Sequence, residues 1–137
     1  MIKSKREAAI KAKVCAKLRA RFTQIFPVAK QGLFNFRCFE NSVQFATDSE
    51  KPLRIFECVY IDAGDHPVMH YIVQDGDEYQ EVTIGWRAEH LEYYLIREVP
   101  KGDWKFIGSI FNSNTDYWLH EFTNWFDRAI LRIDRVV

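Results

Sequence analysis

Two histidines four residues apart, His66 and His70, stand close to Asp62 and Asp65. Imidazole and carboxylate both ligate metals, and positions i and i+4 share a face in a helix and in a strand alike. Pro67 argues against a helix there, and the spacing supplies no third ligand. The pair is therefore read as loop and strand residues, and no metal is expected. Asp75, Asp77 and Glu78 gather more carboxylates, but no series ends in the bidentate Glu that an EF-hand requires. Glu57 is the most interesting acid. It lies in a run that is otherwise apolar at Ile55 and Val59, and an inward carboxylate needs a partner, from Arg54, Arg97 or a Tyr. His90, between Glu89 and Glu92, could transfer protons, although a surface imidazole beside carboxylates is the plainer role. Cys15, Cys38 and Cys58 are odd in number and widely spaced. They form neither a disulfide framework nor a CxxC metal pattern, and are expected to be reduced, buried thiols.

No GxSxG, Walker, GxGxxG or HExxH pattern occurs in the chain. Motif absence does not exclude catalysis, but it leaves no catalytic residue to assign, no cofactor, and a balance leaning away from an enzyme. Charge is more informative. The formal net charge is 0, yet residues 1–30 hold nine basic side chains against Glu7 alone, and the acidic excess lies in the remainder. Lys11, Lys13, Lys17, Arg19 and Arg21 thus form a candidate basic surface. It would track phosphates, dock on an acidic protein, or simply balance the body.

These residues must be carried by secondary structure. Residues 4–26 read as a helix, with Ile10, Val14, Leu18 and Phe22 at steps of four and Pro27 ending it. From Gly32 the period falls to two. Strands are expected over 33–39 and 43–47, with a turn at Glu40, Asn41 and Ser42, and then over 53–61 and 68–74. Asp75-Gly76-Asp77 supplies a tight turn into a strand over 79–86. In that last strand Val82, Ile84 and Trp86 share one face, with Glu81 and Thr83 on the other. Residues 87–90 fit a helical turn or a bulge. Strands over 91–99 and 104–111 follow, joined through Pro100 and Gly102. A capping box at Ser113–Asp116 opens a closing helix over 114–134, whose apolar face includes Trp118, Leu119, Phe122, Trp125, Phe126, Ala129, Ile130 and Ile133.

The expected architecture is a single α+β domain over 1–137. It comprises an N-terminal helix, an antiparallel meander of six to seven strands over about 33–111, and a long C-terminal helix packed on the sheet. The 137 residues, 47% hydrophobic, suffice for a real core. No apolar run reaches 18 residues and no signal peptide is visible, so no membrane association and a cytoplasmic location are expected. Several strands are apolar on both faces, and one helix layer covers only one. Glu57, Tyr93, Trp104 and Phe106 become candidates for a sheet-face interface or pocket. Symmetric pairing would hide such a face, so a homodimer is expected. The leading functional expectation is a small non-catalytic module that binds another protein, of the inhibitor, immunity or adaptor type. The alternatives are a nucleic-acid-binding protein using the basic helix, and a cone-shaped ligand-binding or catalytic domain.

Overall fold

The structure is a computed structural model, and it describes residues 2–33, 35 and 37–123. Helix α1 (Ile2–Arg21) leads into two short strands, β1 (Thr23–Ile25) and β2 (Val28–Ala29). Helix α2 (Cys38–Asp48) follows, then β3 (Arg54–Asp62), β4 (His66–Asp75) and β5 (Glu78–Glu81). A 3₁₀ helix (Gly85–His90), β6 (Glu92–Val99), a second 3₁₀ helix (Lys101–Phe106) and α3 (Ile107–Phe122) complete the described chain. The result is the α+β architecture expected, a six-stranded, mostly antiparallel sheet between terminal helices. No helix among the described residues is long and apolar enough to cross a membrane.

The strand order is β1-β6-β3-β4-β5-β2, antiparallel throughout except for the parallel β2–β5 pair. The two edge strands are β1 and β2, and only Phe26 and Pro27 separate them in sequence. Three Cα steps span at most roughly 11 Å. The sheet must therefore curl until its edges nearly meet. Its concave face closes on Ile25, Phe56, Cys58, Ile72, Ala88 and Tyr93. A register shift between Glu57 and Cys58 on the β3–β6 ladder adds local bend. The convex face carries two further clusters. Ile55, Tyr71, Val73 and Val99 pack with Cys38 and Ala46 of α2 and Ile107 of α3. Val59, Ile61 and Tyr94 pack with Cys15 and Leu18 of α1 and Phe122 of α3. Both faces of β3 are thus buried within one chain.

Several local expectations are corrected. Helix α1 stops at Arg21, because Thr23–Ile25 is drawn into the sheet opposite Tyr93–Leu95. The strands expected over 33–39 and 43–47 give way to α2, in which Cys38, Asn41, Ser42 and Ala46 form one buried stripe at helical spacing. Alternating Phe39, Val43 and Phe45 imitated a strand, but they are partly buried residues along the same helix. The strand expected over 104–111 is the second 3₁₀ helix and the first turn of α3. Ser113–Asp116 therefore lies inside α3 rather than capping it. Residues 87–90 take the helical alternative. Trp125, Phe126, Ala129, Ile130 and Ile133, with the helix proposed beyond Thr123, lie outside the described residues.

Candidate functional site

Beyond β5 the chain does not continue as a strand. The Glu81 side chain turns back on its own backbone, and its Oε2 accepts from the N–H groups of Thr83 (3.0 Å) and Ile84 (3.3 Å). Ile84 then bridges to Gly32, and Gly85 turns the corner at φ +60°. A side chain at Gly85 would be strained, and its Cβ would stand 3.1 Å from Gly32 Cα. The bend sends Glu81 into the concave face. Its other oxygen, Oε1, accepts from the Tyr93 hydroxyl at 2.6 Å and lies 2.7 Å from His70 Nε2. The hairpin register explains the meeting. Val73 pairs with Gln80, so one further step sets Glu81 opposite Ile72, on the same face as His70 two residues away.

All three side chains are buried. Burial alone would neutralise both the acid and the imidazole. Here it is outweighed. Burial pulls His70 down, but the Glu81 charge and the adjacent Cys38 push it up to about 10. Burial likewise works against ionised Glu81, yet His70, the Tyr93 hydroxyl and the Thr83 N–H hold it below the usual carboxylate range. The Tyr93 phenol is pushed upward by burial and by Glu81, so it remains a donor. Glu81 is thus an ionised carboxylate saturated by four donors, and it fixes His70 through Nε2. The edge of the Tyr60 ring, 5.2 Å between centroids, packs on the imidazole.

Nε2 is engaged by Glu81, and Cys38 lies near the same ring. That thiol is close enough to His70 to raise its pKa, after the larger effect of Glu81. Cys38 is the first residue of α2, and the preceding Arg37 provides no side-chain cap. The first-turn N–H groups of a helix have no intrahelical acceptor and carry the positive end of its dipole. The other cysteines sit differently. Cys15 donates to the Asp65 carbonyl, and burial foremost pushes its thiol up to about 11. Cys58, fully buried inside the sheet, is raised well above the ordinary thiol range by burial and nearby carboxylates. Cys38 retains 8% exposure where these two retain none. A thiol, an imidazole and a buried carboxylate are the groups that thiol-based acyl transfer draws on.

The residues singled out from sequence fall elsewhere. Glu57 is buried on the convex face, where its Oε2 accepts from Tyr71 Oη (3.1 Å) and Asn114 Nδ2 (2.7 Å), with Arg97 3.8 Å away. Arg54 instead grips Glu98. Tyr93 lies within the curl. Trp104 and Phe106 are not on the sheet at all. Trp104 donates to the Val99 carbonyl from the second 3₁₀ helix, and Phe106 is exposed. His66 turns to Lys11 at 3.4 Å while His70 turns inward, so the two do not converge. His90 packs against exposed Trp86. The basic surface is partly spent within the molecule. Arg19 pairs with Asp65 and Glu92, Arg21 pairs with Glu121, and Lys17 donates to the Phe122 carbonyl.

Cys38, His70 and Glu81 were not joined by sequence reasoning. The usable signal was the helical spacing Cys38, Asn41, Ser42, Ala46, followed by a histidine and an acid on the two arms of one tight hairpin. Compared with protein family models, curated proteins and solved structures, the chain matches none.

Proposed function

We propose that this protein is a thiol-dependent acyl-transfer enzyme that cleaves an amide or ester through a covalent intermediate on Cys38. The observation that carries the proposal is a cysteine opening a helix near an imidazole whose Nε2 is held by a buried carboxylate. In the first half-reaction sulfur, as a thiolate beside the His70 imidazolium, attacks the substrate carbonyl carbon. The carbon–sulfur bond forms, the bond to the leaving group breaks, and the imidazolium returns its proton to the departing amine or alcohol. Water, deprotonated by the now neutral His70, then attacks the thioester, which frees the acid and restores the thiolate beside the imidazolium. Glu81 holds the ring and balances the imidazolium without taking its proton.

The generic ester p-nitrophenyl acetate and the alkylating agent iodoacetamide test this with the substrate unidentified. Peptide mapping should find Cys38 modified well before Cys15 and Cys58. Ester cleavage should be lost in Cys38→Ala and in His70→Ala, each assayed well below its own melting temperature. Equal modification of all three thiols, with ester cleavage no faster than buffer, would overturn the proposal.

Three reduced thiols, all free, suit a reducing compartment such as the cytoplasm, where a thiol mechanism can operate. A non-catalytic partner-binding role, and a homodimer, rested on a doubly apolar sheet and on separated charge. The curl now buries the second face, and Arg19 and Arg21 spend charge on Asp65, Glu92 and Glu121. Nucleic-acid binding through the same helix loses support for the same reason.

A further inference from the structure

We infer that Asn41 is the positioning residue that sets the nucleophile's helix against the histidine–carboxylate pair, an inference that rests on the thiol-enzyme reading above. Asn41 lies one turn beyond Cys38 and is 7% exposed. Its Nδ2 donates to Asn35 Oδ1 at 2.7 Å and to Thr83 Oγ1 at 3.2 Å. Asn35 Nδ2 returns a bond to Asn41 Oδ1 at 3.4 Å, and Asn35 Oδ1 also accepts from the Arg37 backbone N–H at 3.3 Å.

One amide therefore joins three parts of the site. It closes the approach to Cys38 on itself, through Asn35 before the helix and Asn41 within it. It also ties that helix end to Thr83, whose own N–H is held by Glu81. A chain of hydrogen bonds thus runs from Asn41 through Thr83 and Glu81 to His70. The thiol and the imidazole come from separate elements, and no covalent or ladder contact sets their separation. A shift of about 1 Å in such a separation can cost a hundredfold in rate. Burying a primary amide without partners is costly, so an Asn spent here on a side-chain network is best explained by geometry that must be held.

The test is the rate and pH profile of Cys38 alkylation by iodoacetamide in the full chain, mapped by mass spectrometry, for wild type, Asn41→Ala, Thr83→Val and His70→Ala. Thr83→Val removes one acceptor and keeps side-chain shape, so it stands in should Asn41→Ala fail to fold. The expected result is a roughly tenfold slower Cys38 reaction in Asn41→Ala, with a smaller loss in Thr83→Val. Both profiles should move toward that of His70→Ala, while Cys15 and Cys58 stay protected. Wild-type rate and profile in Asn41→Ala or in its Thr83→Val stand-in, with or without a fall in melting temperature, would make the network merely structural. A His70→Ala profile identical to wild type would instead remove the thiol–imidazole reading itself, which is a separable failure.

Discussion

Replacing Glu81 by Gln tests the buried site through stability, independently of any substrate. Glu81 accepts four hydrogen bonds, two on each oxygen. A carboxamide keeps one acceptor and gains one donor. With its oxygen toward Thr83 and Ile84, its NH₂ faces two donors, His70 and Tyr93; flipped, it faces two backbone N–H groups. Either way two buried donors are orphaned, and a buried imidazolium loses its counter-charge. Breaking one side of a buried ion pair costs about 3–5 kcal/mol. The sign of the pH dependence follows from the shifts. His70 is raised from 6.5 to about 10, so its contribution is complete below pH 6.5 and is lost as pH rises through the folded value. Glu81 is lowered from 4.5, so its contribution is complete above pH 4.5 and is lost as pH falls through the folded value. The gap between wild type and Glu81→Gln should thus be widest between pH 4.5 and 6.5 and should narrow steadily toward pH 10. Urea titrations at pH 5.5, 7.5 and 9.5, followed by far-UV circular dichroism, measure it. A difference under about 1 kcal/mol, or one unchanged across the three pH values, would mean that no buried ion pair exists and that His70 is not held by Glu81.

Two further outcomes follow from the fold. Gly85→Ala combines an unfavourable positive φ with a 3.1 Å approach to Gly32 Cα, so it should cost more than about 1 kcal/mol in urea titration and slow ester cleavage as the bend after Glu81 loosens. Because the curl buries Phe56, Ile72 and Tyr93 within one chain, light scattering over a dilution series should give a constant monomer mass, and a mass that rises with concentration would restore the symmetric interface.

The large pattern was legible because it rests on long-range periodicity. Ile10, Val14 and Leu18 mark α1, and the nearly continuous apolar runs in β3 and β4 mark strands buried on both faces. Glu57 was likewise recognisable as an inward acid, since its neighbours at 55 and 59 face a core. The 33–47 stretch suggests strands because Phe39, Val43 and Phe45 fall at even spacings, which fit a period of two as well as part of a helical one. Packing of Cys38 and Ala46 against β3 and β4, with Asn41 and Ser42 buried at the same helical spacing, settles it as a helix. Trp104–Phe111 failed for the opposite reason. Its alternation was clear, but a 3₁₀ turn followed by Ile107 and Phe111 at i and i+4 places the same residues on one side of α3.

The site escaped because its key residue breaks the rule that made the strands readable. Alternation puts Glu81 and Thr83 opposite Val82 and Ile84, which reads as a polar, solvent-facing side. In a curled sheet that side is the inside. Glu81 is 0% exposed and Thr83 2%. A carboxylate belongs there only with donors enough to replace water, and those donors come from β4, β6 and its own bend rather than from its neighbours in sequence. No local pattern can announce them. What a sequence can offer is the reverse inference. Inward-facing Glu81 and His70 on paired strands, with no apolar reason to be there, require each other, and a free cysteine at the start of the preceding helix, near His70, is then no longer a bystander.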